Sequence, residues 1–166
     1  MLQQVASLED KIPVSLKGTL MLRGLGLWKI PLLFMTSPKV VELSDKRAVI
    51  KIPLNRMTKN HLGSMYFGAL AIGADAVVGM LAVYWIRKAR AKKVHLSFKD
   101  FKADFLRRPD HTVLFVCDQG AEIQALVEKV AASHERINQT IAAHAILPKT
   151  GERVANFALT LSLKRK

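Results

Sequence analysis

The sequence predicts an α+β fold in which one curved antiparallel sheet wraps around a long central helix, preceded by an N-terminal helical segment. Three observations carry this. Between Lys59 and Arg87 the only formal charge is Asp75, in a run whose length and Ala, Leu and Met content favour a helix from about Ser64 to Arg87. After that run, four segments alternate apolar and polar residues with the period of two that marks half-buried strands. With 166 residues, the chain fits a single domain large enough to bury a continuous core.

The elements follow in order. From Ser15 to about Phe34 apolar residues recur at roughly helical spacing, with Ser15 as a candidate N-cap and Pro31 as a breaker; Gly18, Gly24 and Gly26 weaken the helix and favour an interruption. KVVELSDKRAVIKIP predicts a hairpin, Val41 and Leu43 facing Ala48, Ile50 and Ile52 across a turn near Ser44 to Lys46. In VHLSFKDFKADFL the alternation of Val94, Leu96 and Phe98 resumes one residue out of step at Phe101, Ala103 and Phe105. That slip near Lys99 and Asp100 predicts a β-bulge in a long strand. A strand over Asp110 to Asp118 and a helix over Gly120 to Ser133, buried through Ile123, Leu126, Val127 and Val130, come next. Strands over about Glu135 to Leu147 and about Arg153 to Leu163 close the chain around the turn PKTGE.

Charge narrows the function classes. Lys and Arg number 26 against 13 Asp and Glu, a net +13 that favours phosphates, nucleic acid or anionic membrane surfaces. No basic stretch is interleaved with aromatics as in a recognisable nucleic-acid module, so no nucleic-acid partner is expected; weak contact with a membrane surface fits the charge. Cys117 stands alone, so no intrachain disulfide can form, and with no secretory pattern at the N-terminus the expected location is cytoplasmic. The five histidines show no ligand spacing, and no metal site is expected.

The apolar run has the length, the terminal Tyr84 and Trp85 and the following basic residues of a membrane span. A carboxylate near the centre of a lone span is costly, however, and the flanking strands favour a core helix enclosed by a sheet. At 100° per residue, Gly68, Ala71, Ile72, Asp75, Gly79 and Ala82 lie within an arc of about 100°, each within about 60° of Asp75, which sets the carboxylate in a groove of small side chains. Two roles stay open for Asp75: a hydrogen-bonded buried acid beside glycines that permit tight packing, or a perturbed carboxylate suited to chemistry.

The segment NHLGSMYFGAL with Ala74-Asp75 about ten residues on, followed by four alternating strands, resembles the hotdog fold, in particular the PaaI-type acyl-CoA thioesterases and their less characterised relatives. The likeness treats residues 1–166 as one hotdog domain, with 1–36 as a helical lead-in, to which LGLWKIP is similar, and 39–164 as the core. In the family, an Asn and a Gly precede a His-Gly-Gly turn, and a helical Asp nine residues after the His supplies the catalytic carboxylate. Gly63 and Ser64 match the Gly-Thr of that pattern, Tyr66 stands where the His is usual, Phe67 and Gly68 replace Gly-Gly, and Asp75 matches the acid.

The resemblance implies hydrolysis of an acyl-CoA or related thioester, with coenzyme A as part of the substrate and no separate cofactor. Asp75 is the expected general base or nucleophile; Asn60, Ser64 and Tyr66 are expected to orient or bond the thioester. Backbone amides around Gly63, Phe67 and Gly68 would stabilise the oxyanion, and Ala71, Ile72 and Gly79 would line the substrate groove. Ser64 as a plain N-cap, Tyr66 as a packed aromatic and a non-catalytic acyl-binding protein are the competing readings. Tyr66 and Asp75 are nine residues apart, about 180° around one helix, so a single site using both needs two chains. The family implies the same, a homodimer with the active site at its interface; dimer and homotetramer both stay open for this chain.

Overall fold

A computed structural model describes residues 13–91 and 93–166. The lead-in forms helices α1 (Val14–Trp28) and α2 (Pro31–Met35). They part at Ile30, held extended at φ −136° and ψ 76°, because the following proline ring disfavours a helical residue before it. Ser15 is not the cap: Pro13 precedes the first turn, and the Ser15 carbonyl accepts the Thr19 hydroxyl at 2.8 Å. The Thr19 oxygen also accepts the Val40 amide at 2.9 Å, fastening α1 to the first strand. Gly18 lets α1 approach Val40, and Gly26 leaves room for the Phe34 backbone, 2.8 Å from where a Cβ would lie.

Six strands follow: β1 (Lys39–Leu43), β2 (Ala48–Ile52), β3 (Val94–Phe105), β4 (Val113–Cys117), β5 (Arg136–Ile146) and β6 (Arg153–Arg165). They form one sheet in the order β1-β2-β4-β5-β6-β3, each neighbouring pair antiparallel. The expected hairpin is present, but Val40 and not Val41 faces the core. A register shift between Val40 and Glu42 reverses the phase of β1 and leaves Val41 exposed. In β3 the shift falls between Phe98 and Phe101, where the slipped alternation placed a bulge. β4 is shorter than Asp110 to Asp118, starting only at Val113.

Helix α3 (Phe67–Lys88) lies across β2, β4 and β5. It is the one helix among the described residues long and apolar enough to cross a membrane, yet Ala74, Val77, Val78, Leu81 and Ala82 are sealed against the protein's own core. Burial against the protein's own core therefore explains its composition. The smaller helix α4 (Gly120–Ala131) buries Ile123, Leu126, Val127 and Val130, as the periodicity predicts. Its first residue must be glycine, since a Cβ there would collide with the Asp45 carbonyl. The architecture is thus the α+β, helix-in-curved-sheet arrangement expected from the sequence, with the helical lead-in packed beside β1.

Candidate functional site

Among the described residues, two of the recesses beside α3 hold candidate site residues. The first surrounds the start of the helix, which begins at Phe67 and not at Ser64 because residues 60–64 are tied into a loop of their own. The Asn60 side-chain oxygen accepts the amides of Leu62 at 2.9 Å and Ser64 at 3.2 Å, and the Asn60 amide group donates to the Ser64 hydroxyl at 3.2 Å. Gly63 turns the loop at φ +80°, a conformation side chains disfavour. The Met65 and Tyr66 amides then donate at 2.8 Å each to the carbonyls of Pro109 and Thr58, which fixes where the helix starts.

Tyr66 occupies the N-cap position without capping through its side chain. The first helical hydrogen bonds come from Ala69 and Leu70, both to the Tyr66 carbonyl, so the Phe67 and Gly68 amides stand at the helix N-terminus where no intrahelical acceptor exists. The Tyr66 ring folds over Gly68, 2.5 Å from where a Cβ would lie, and stacks tilted on Phe67 with ring centres 4.7 Å apart. Asn60, Ser64, Tyr66 and Phe67 border a cavity of about 490 Å3 whose far wall is Phe105, Leu106, Arg107 and Arg108.

The second recess holds Asp75. It is a groove of about 530 Å3 in which Asp75, Ala76, Gly79, Met80 and Val83 of α3 face Leu96 and Phe98 of β3, with Met21, Leu22, Leu25 and Leu33 of the lead-in as its roof. Arg87 lies at the far end, three turns along α3, and every other lining residue is apolar. Among the described residues the Asp75 carboxylate forms no ion pair, and its pKa is raised because burial disfavours the charged form. Gly79 opens the groove: the nearest atom to a Cβ there would be the rim of Phe98, at 4.0 Å.

The structure therefore brings Asn60, Gly63, Ser64, Tyr66, Phe67 and Gly68 together at one end of α3, and Asp75 with Gly79 in a separate groove. Ala71 and Ile72 lie half-buried on the turn between the two recesses, and Ala82 is wholly buried. Nine residues of helix separate Tyr66 from Asp75, about 13 Å along the axis. The sequence left out the roof and the Leu96 and Phe98 wall; the inward phase of β3 was a signal for the wall, whereas the roof depends on where the lead-in packs. Cys117 is buried in the core with its thiol pKa pushed up to about 11 by burial, and among the described residues no His, Cys, Asp and Glu cluster suits a metal ion.

Comparison with known proteins fits this architecture. No curated protein matches the sequence. A protein of unknown function from Pseudomonas aeruginosa, described as a "probable thioesterase", has a similar structure, with a TM-score of 0.74 at 22% identity, covering 89% of this chain and 96% of that one. A protein of unknown function from Chlorobaculum tepidum gives a TM-score of 0.72 at 11% identity over 89% and 94% of the two chains. A variant of a thioesterase enzyme from Staphylococcus aureus gives 0.61 at 14% identity over 81% and 98%. Residues 20–161 match the family described as "Domain of unknown function (DUF4442)". The chain belongs to that family, and its fold is the hotdog fold.

Proposed function

We propose that the protein hydrolyses acyl thioesters, with acyl-CoA as substrate class, at a site shared by two copies of the chain. One observation carries this: Asp75 is the sole carboxylate in a groove that is apolar except for Arg87 at its far end, and burial holds it above its ordinary pKa. As general base it takes a proton from water while the water oxygen bonds to the thioester carbonyl carbon; the C–S bond then breaks and the thiolate leaves to be protonated. As nucleophile the same carboxylate bonds to the thioester carbonyl carbon, the C–S bond breaks and the thiolate leaves to be protonated; water then hydrolyses the resulting mixed anhydride to the free acid and the Asp75 carboxylate. The developing oxyanion needs donors, which the Phe67 and Gly68 amides, without a backbone acceptor among the described residues, offer.

Within one chain those amides and Asp75 sit in different recesses, so the reading requires a homodimer in which one copy gives the acid and the other the helix start. Tyr66 replaces the family's histidine as a hydroxyl donor beside that start. Arg87 and Arg107 border the two recesses and suit the phosphates of coenzyme A. Release of free thiol from a panel of acyl-CoAs tests the proposal. Turnover that falls at least a hundredfold in Asp75→Asn supports it; undiminished turnover in that variant removes Asp75 from the chemistry. Because the groove is so apolar, a second reading follows if no acyl-CoA is cleaved but acyl-CoA raises the melting temperature: a non-catalytic acyl-binding protein.

A further inference from the structure

Helix α1 is inverted for a helix on the surface of a protein in water. The face it turns inward carries Gly18, Leu22 and Gly26, all buried. On the opposite side Leu16, Leu20 and Leu27 fall within about 40° of one another at 100° per residue. Leu20 is 61% exposed, Trp28 at the end of the helix 82%, and Leu32 on α2 66%. A soluble helix places polar residues on that side. A contiguous apolar patch of this kind marks an interaction surface.

The charges around it say what it meets. Lys17 and Arg23 flank the leucine row on its two sides, Lys29 adjoins Trp28, and from Lys11 to Val41 the sequence contains no Asp or Glu. A second copy docked face to face would set these cations against themselves. An anionic lipid surface accepts both features at once: leucines and tryptophan at the boundary of the acyl chains, lysines and arginine among the headgroups. We propose that the α1–α2 face docks this protein on an anionic lipid bilayer. The docking is independent of any reaction at Asp75, although Leu25 and Leu33 of the same helices roof the Asp75 groove and so place one wall of that groove beside the membrane.

The test is sedimentation of the full-length protein with vesicles of phosphatidylcholine alone or of equal parts phosphatidylcholine and phosphatidylglycerol, together with tryptophan fluorescence. Of the two tryptophans Trp85 is buried at 7% exposure, so a change on binding reports Trp28. Expected are binding about tenfold or more tighter to the anionic vesicles, a blue-shifted emission, and quenching by lipids brominated in their acyl chains. A Leu20→Ser/Trp28→Ser variant, with unchanged circular dichroism and melting, should bind at least tenfold more weakly. The proposal is overturned if brominated lipid leaves the wild-type emission unquenched or if the double variant binds the anionic vesicles as tightly as wild type. It is equally overturned if that variant turns a stable dimer into a monomer, which would assign the face to a second copy.

Discussion

Phe115 of β4 fills the notch that Gly73 leaves in the central helix: a Cβ at position 73 would overlap the Phe115 ring. Both residues are buried, so neither can move into solvent. The helix reaches the sheet closely because this one turn has no side chain. Gly73→Ala is therefore expected to destabilise the fold by about 1–3 kcal/mol through overpacking, despite alanine's better helix propensity. Urea unfolding followed by circular dichroism measures it, and a variant as stable as wild type would show that Phe115 has room to yield.

The half-buried carboxylate of Asp75 makes a pH prediction with a definite sign. Asp75 is raised above its ordinary value of 3.8, so between that value and its folded pKa the native state binds more protons than the unfolded state. Stability contributed by this group is then present at low pH and lost as pH rises through the folded value. Asp75→Asn, which keeps the shape and removes the charge, should be at least as stable as wild type at neutral pH, with the advantage shrinking on acidification. Parallel urea titrations at neutral and acidic pH check this. An Asn variant clearly less stable at neutral pH would mean the ionised carboxylate is satisfied by partners.

The same shift sets the acid limb of activity. If ionised Asp75 is the base or nucleophile, kcat/KM rises with pH through the raised pKa, above the ordinary aspartate value of 3.8. A limb at the free-aspartate value would place the reacting carboxylate outside the apolar groove.

Gly63 shapes the helix start through its positive φ of +80°. No atom crowds a Cβ there, so Gly63→Ala isolates backbone strain, about 1–2 kcal/mol. If the proposed reaction takes place, the loop that holds Asn60 and Ser64 should shift with it and lower turnover of acyl-CoA more than its binding. Equal loss of both would show that the loop only supports the fold.

Cys117 lies on β4 at 0% exposure with its thiol pKa pushed up to about 11. Native protein should react with iodoacetamide at least a hundredfold more slowly than protein unfolded in urea, because the thiolate is both scarce and inaccessible. Comparable rates would reveal local opening of β4. The slow native reaction also keeps this thiol from contributing background in an assay that detects released coenzyme A.

What could be read along the chain were features that repeat locally. The apolar stretch around Ala74 to Ala82 marked the core helix, and the slipped alternation at Lys99 and Asp100 marked the bulge of β3, because each pattern persists over enough residues to show its period. β1 is too short for that: five residues with a bulge between Val40 and Glu42 leave too few positions to fix a phase, and Val41 reads as inward. Likewise the start of α3 at Phe67 depends on the carbonyls of Thr58 and Pro109, the latter some forty residues downstream of the loop it receives.

The sequence by itself determined the fold class, the enclosed helix and the presence of one carboxylate within its apolar run, since hydrophobic periodicity and the cost of burying charge act residue by residue; the large side chains that line the groove around it came from packing. Tertiary structure decided the rest. It set Leu22 and Leu33 over Asp75, folded Tyr66 across Gly68 and turned Leu16, Leu20 and Leu27 outward, because each depends on which surface an amphipathic element meets, and that is fixed only when distant segments pack.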